Sequence, residues 1–174
     1  MILETIVETD FDLTQIINGE EVMSSAPFRY HQYIISNLYD ELKPFVKKNR
    51  FGTIELSPLD VILEEGVNRL QPDLFFISTA NAAIIQDWIR GVPDMVIEVV
   101  SKGSLKRDTQ DKKAIYEKYG VAEFWLVFPE FQTIEIFNLA HGKYVLTSFA
   151  EITGSVQSTV LQGFSMDIVP IFAS

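Results

Sequence analysis

The stretch from Pro93 to Phe128, PDMVIEVVSKGSLKRDTQDKKAIYEKYGVAEFWLVF, restricts the possible folds more than any other part of the chain. MVIEVV and FWLVF are short, nearly continuous apolar runs, the pattern of strands covered on both faces. Between them, Asp108 to Tyr119 has helical spacing, with Asp108 as a candidate N-cap and Gly120 as the stop. A helix that crosses from one strand to the next implies a parallel pair. The chain must therefore build a mixed sheet with at least one helix packed on it.

Two charges sit inside these apolar elements. Side chains alternate along a strand, so Asp94, Val96, Glu98 and Val100 share one face. An isolated carboxylate at Glu98 would carry a large desolvation cost unless paired or bound to a cation. A strand-end Glu reaching solvent, or an arginine such as Arg69, Arg90 or Arg107, satisfies it equally well. On the helix, Lys112 shares the apolar stripe of Ile115, Tyr116 and Tyr119. An Asp108–Lys112 pair one turn apart, worth about 0.2–0.5 kcal/mol, or a stem that carries its ammonium out to water are the ordinary explanations.

The rest of the chain extends the pattern. Asn18-Gly19 separates short apolar runs within Leu3–Val22 and predicts a small hairpin. Ser25 and Pro27 suit a helix start. FRYHQYIISNLYDELKPFVKK then reads as an amphipathic helix, bent or ended near Pro44. FGTIELSPLDVILEEG is one long strand, or two broken at Ser57-Pro58. QPDLFFIST is a short strand entered through Pro72. TIEIFNLA and KYVLTSFAE form a meander around His141-Gly142. TGSVQSTVLQGFSMDIVPIF closes the chain as an edge segment and a packed tail. The order is helix, strands, helix, strand and further strands: an α/β (α+β) fold with a mixed β-sheet flanked by helices. No linker or repeat interrupts residues 1–174, so one domain is expected.

Asp73 opens the QPDLFFIST strand. If that strand neighbours the one carrying Glu98, the two carboxylates converge, and such a pair repels unless a cation neutralises it. Carboxylate oxygens suit hard ions, Mg²⁺ or Mn²⁺. Glu55 is a possible third donor, though a surface position explains it as well. Two acids, a divalent cation and a lysine make a phosphodiester hydrolysis site.

Composition narrows the alternatives. Net charge is −10, and dense positive charge is confined to Lys43–Arg50 and Lys102–Arg107, so indiscriminate wrapping of nucleic acid is disfavoured. Cys is absent, which excludes disulfides and thiolate chemistry and fits a cytoplasmic location. No apolar run approaches the roughly 18 residues of a membrane span, and the acidic N-terminus lacks the features of an export signal. The chain has no G-x-S-x-G elbow and no Walker glycine loop, and its only histidines, His31 and His141, make no zinc spacing.

The segments NGEEVMSSAPFRYHQ, QPDLFFIS and PDMVIEVVSKGSLKRDTQDKKAIYEKYGVAEFWLVFP together resemble the Uma-type restriction-endonuclease-like family, formerly a domain of unknown function, of the PD-(D/E)XK nuclease superfamily. The resemblance implies a restriction-endonuclease-like core in the order α-β-β-β-α-β with extra C-terminal strands. It implies a metal-dependent endonuclease acting on DNA in preference to RNA. The acidic net charge and the small size of the chain suggest that a second subunit completes the nucleic-acid groove, as a homodimer. Asp73 and Glu98 fall on the superfamily's acidic positions. Val100 stands where the superfamily lysine usually stands, and Lys112 matches the lysine this family carries on the following helix. Glu20, His31, Asp94 and Ser101 match further family positions: Glu20 as an additional metal or water contact, His31 as a structural histidine near a helix start, Asp94 and Ser101 as supporting or turn residues. The alternative is a nuclease fold that works as a binding or assembly module with little catalysis.

Overall fold

The computed structural model describes residues 13–23 and 27–173. Strands β1 (Thr14–Ile17) and β2 (Glu20–Met23) form the expected hairpin. Asn18 and Gly19 both take positive φ, 52° and 83°, the two-residue turn that an Asn-Gly pair favours. The start at Ser25 lies outside the described residues, as does the chain before Leu13. Helix α1 (Arg29–Asn49) begins after Phe28, which gives it no side-chain cap. It buries Ile34, Ile35, Leu38, Leu42 and Val46. It continues through Pro44 rather than ending there. Pro44 and Asp40, the residue whose carbonyl it leaves unbonded, are both exposed, so water serves that carbonyl.

FGTIELSPLDVILEEG divides into β3 (Gly52–Leu56) and β4 (Val61–Glu64), which enter different sheets. Then follow β5 (Asn68–Leu70), β6 (Leu74–Ser78), β7 (Ile89–Arg90) and β8 (Met95–Val99). A π-helical turn, Arg107–Lys112, leads into α2 (Lys113–Tyr119). The chain ends with β9 (Glu123–Phe128), β10 (Thr133–Ala140), β11 (Lys143–Glu151), β12 (Ser155–Gln157), β13 (Ser165–Asp167) and α3 (Val169–Phe172).

A six-stranded sheet, β11-β10-β9-β8-β6-β3, forms the centre. Its β8–β9 pair is parallel, as the crossover requires, and the other neighbours are antiparallel. Both faces are covered. Met95, Ile97 and Val99 pack with α1 and the tail residues Ile168, Ile171 and Phe172. Val96 and Val100 pack with Phe75, Ile77 and the α2 residues Ile115 and Tyr116. A second sheet, β2-β1-β5-β4-β7, contributes Ile17, Val61, Leu70 and Ile89 to that latter core.

One expectation is corrected. Asp108 is not the cap of the second helix. Its backbone N–H already donates to the Ser104 carbonyl at 2.8 Å, and the helical turns start before it. A turn in which the Ser101 N–H donates to Ser104 Oγ at 3.0 Å opens the segment instead. Asp108 is thereby placed inside the helix and is 3% exposed.

Candidate active site

The β6–β8 register sets the site. Leu74 pairs with Ile97 in an antiparallel ladder, so one step further along Asp73 stands opposite Glu98. By alternation both carboxylates belong to the face that α2 covers. Leaving β8, the chain passes through the Ser101–Ser104 turn and returns over the sheet as the π-helical turn. That turn delivers Asp108 and Lys112 to the strand ends.

Lys112 is the cation that Glu98 requires. Its Nζ donates to Oε1 at 2.9 Å and Oε2 at 3.0 Å. The Tyr116 hydroxyl donates to Oε1 at 2.7 Å. Asp108 Oδ1 lies 3.7 Å from the same ammonium, completing the helical pair read from the sequence. The three charged side chains are 2–5% exposed. The arginines offered as alternative partners lie elsewhere: Arg69 beside Asp60, Arg90 beside Glu65 and Asp87, Arg107 beside Asp108. Asp73 Oδ2 accepts the Val99 N–H at 2.7 Å. His31 Nε2, from the first turn of α1, is 2.8 Å from the Val99 carbonyl and 3.5 Å from Asp73 Oδ2. A carbonyl only accepts, so Nε2 carries the proton.

Asp73, Glu98, Asp108, Lys112 and His31 line one cleft of about 180 Å³, with Ser101, Ser104, Arg107 and Gln71 on its walls. Its electrostatics follow from three carboxylates set against the Lys112 ammonium and the more exposed Arg107 guanidinium. Burial pushes the Glu98 carboxyl up to about 8, with Asp108 and Asp73 adding to the rise and Lys112 and Tyr116 opposing it. Burial likewise raises Asp108, against Lys112. Burial lowers Lys112, but the charges of Glu98, Asp108 and Asp73 outweigh it and hold the ammonium above its ordinary value. Burial lowers His31 too, and is overcome by its bond to Asp73 and that residue's charge. Glu98, Asp108, Lys112 and His31 are each shifted toward holding a proton, as expected of a site with surplus negative charge.

A divalent cation would relieve that surplus, and the donors suit one. Asp73 Oδ1 has no hydrogen-bond partner among the described residues, and Glu98 Oε2 accepts only from Lys112. Among the described residues no trio of His, Asp or Glu forms a ready-made cage. A divalent cation held by these two carboxylates would need water and substrate phosphate to complete its shell.

The other anticipated residues are distributed differently. Ser101 lines the cleft and bonds to Ser104. Asp94 sits at the opposite end of β8, accepting from the Ser78 backbone N–H and from Asn81. Glu20 is exposed and lines a neighbouring cavity beside the hairpin. Glu55 accepts from Thr53 near the far end of α1. Neither Glu20 nor Glu55 is brought into the cleft. Sequence reasoning gave Tyr116 only an apolar role and Asp108 only a local one. Their spacing from Lys112, four residues on either side, was the available signal.

A mixed sheet with opposed carboxylates at adjacent strand ends, and a lysine reaching them from the crossover helix, defines a protein of the restriction-endonuclease-like nuclease fold. A crystal structure of a "putative nuclease belonging to DUF820" from Anabaena variabilis ATCC 29413 superposes with a TM-score of 0.75 over 91% of this chain and 89% of that one. At 19% identity, that likeness is one of fold. Residues 4–169 match the family model described as "Uma2: Putative restriction endonuclease", and the chain belongs to that family. No curated protein matches it. Among the described residues no helix is long and apolar enough to cross a membrane.

Proposed function

We propose that the chain is a metal-dependent endonuclease that hydrolyses phosphodiester bonds of DNA, working as one domain in the cytoplasm and assembling as a homodimer. The observation that supports this most is convergence. Asp73, Glu98 and Lys112 come from β6, β8 and the turn before α2, and all line one cleft.

Asp73 and Glu98 would hold Mg²⁺ or Mn²⁺. Such an ion, when bound, would supply an acidified water and polarise the phosphoryl oxygen. The chain's own residues prepare that chemistry. Lys112 and Tyr116 fix the Glu98 carboxylate from two directions. The Val99 N–H fixes Asp73, and His31 anchors the Val99 carbonyl, so the two acids are tied to one segment of backbone. The Lys112 ammonium, immobilised beside the acids, favours negative charge growing on a phosphate entering the cleft.

A second reading is a nuclease-fold binding or assembly module with little catalysis. It is favoured by Glu98, whose two oxygens already have donors without any metal. Calorimetric titration with Mn²⁺ and Mg²⁺ separates the two. Binding by the parent that Glu98→Ala abolishes supports the nuclease, and no binding by the parent supports the module. Cleavage of duplex DNA, single-stranded DNA and RNA by the parent and by Lys112→Ala then tests the substrate. Loss of parent activity in Lys112→Ala is expected, and an equally active variant refutes the lysine's role. Sedimentation of the parent tests the dimer.

A further inference from the structure

The π-helical turn has a second consequence, at Arg107. Residues five apart on a regular α-helix point about 140° away from each other, at 100° per residue. On that geometry Arg107 would turn away from a cleft lined by Lys112. π-helical bonding widens the turn, and both side chains line the same cleft. Such turns occur frequently at functional sites.

The Arg107 guanidinium is poorly matched within the chain. Its Nε is buried and has no hydrogen-bond partner among the described residues. The nearest carboxylate oxygen, Asp108 Oδ1, is 4.0 Å away and also serves Lys112. A buried N–H of an obligate cation carries a cost that a missing acceptor would remove. The side chain is 25% exposed, so that acceptor can arrive from solvent. Arg107 also borders the adjoining cavity, which Lys106 and Gly103 line as well. Glu20 and Asp111 line that cavity too, which confines the positive ground to Arg107 and Lys106. Lys112 is bonded to both Glu98 oxygens and serves the phosphate beside the acids, so a neighbouring phosphate needs a second cation.

We propose that Arg107 is the phosphate clamp of the cleft: its guanidinium binds the phosphate adjoining the scissile one in a DNA strand lying across Asp73, Glu98 and Lys112. The assignment rests on the nuclease reading above. It makes Arg107 a binding residue, with a planar fork suited to two non-bridging oxygens.

The test is binding of a fluorescein-labelled DNA duplex and of its single strand, in EDTA to prevent cleavage, across a KCl series. For Arg107→Ala the expected result is a loss of roughly ten- to a hundredfold in affinity, the range for a hydrogen bond to a charged group. The slope of log affinity against log salt should fall by about 0.9 on duplex or about 0.7 on single strand, one phosphate contact. Arg107→Lys should keep the slope and recover only part of the affinity, because it keeps charge without the fork. Lys48→Ala, at the far end of α1, should change neither. Mn²⁺ binding by calorimetry should be unaltered in Arg107→Ala. An unchanged slope and affinity in Arg107→Ala, or an equal loss in Lys48→Ala, overturns the clamp and leaves the nuclease reading standing. Loss of Mn²⁺ binding in both Arg107 variants would mark a collapsed cleft and also overturn it. A parent that binds neither form of DNA at low salt overturns both readings.

Discussion

Replacing Lys112 with Met tests whether the ammonium is held inside the protein by the acids. Met keeps nearly the same volume, so no cavity confuses the result. The charge removed stands 2.9 and 3.0 Å from the Glu98 oxygens and 3.7 Å from Asp108, at side chains no more than 5% exposed. Removing one partner of a buried pair costs about 3–5 kcal/mol, because the other charge stays buried and uncompensated. Here the lower end applies. The Glu98 carboxyl already sits at about 8, so near neutrality it escapes part of the penalty by holding a proton. The expected loss is about 3 kcal/mol, or roughly 6–12 °C in melting temperature for a chain of this length. Urea unfolding followed by far-UV circular dichroism, at pH 7 in EDTA, measures it. The double variant Glu98→Gln/Lys112→Met should recover most of the loss, a coupling of about 2 kcal/mol or more. A Lys112→Met cost below about 0.5 kcal/mol, the range of surface substitutions, with additive double-variant behaviour would refute the reasoning. It would place the ammonium in water and leave Glu98 without its cation.

Three further outcomes follow from the same geometry. Glu123 is fully buried and accepts from the Trp125 indole, Asn138, the Ser158 hydroxyl, and the Thr159 and Val160 backbone N–H groups. Glu123→Ala strands those donors and should cost about 3–5 kcal/mol in urea unfolding; a cost below about 1 kcal/mol would show the network is not formed. Glu98, raised to about 8 from an ordinary value of 4.5, binds more protons folded than unfolded between those pH values. Its contribution to stability therefore decreases as pH rises through that window, by up to about 1.4 kcal/mol per pH unit. Glu98→Gln should flatten that part of the metal-free stability profile, and identical profiles in parent and variant would refute the shift. Finally, Mn²⁺ at a hundred times its dissociation constant should stabilise the parent by about 2.7 kcal/mol, and Asp73→Asn should lose that increment in a thermal melt. Equal stabilisation of the variant would remove Asp73 from the ion's shell.

Apolar patterning and turn chemistry carried much of this architecture in the sequence itself. MVIEVV and FWLVF, joined by a helical stretch, required a parallel pair, and β8 and β9 form it. Asn18-Gly19 and His141-Gly142 placed two hairpin turns, and positive φ at all four residues agrees. These features are local: strand alternation and turn conformation depend on neighbours within a few residues. Pro44 left a bend or an end open; the helix runs on to Asn49, because the effect of a proline depends on which side of α1 meets solvent, a fact of packing.

What the sequence determined by itself is that Glu98 and Lys112 are charges in apolar elements, and that each needed a partner or an exit to water. It could not say which. Solvent, an arginine, a metal and a buried lysine are equally compatible with one carboxylate in a strand, because a pairing across 14 residues depends on how elements stack. The tertiary structure decided it. The β6–β8 register set Asp73 opposite Glu98, and the π-helical turn carried Asp108, Lys112 and Arg107 to the same cleft. Sheet register and helix bulges are fixed by the packing of the whole core, so the convergence exists only in the folded chain.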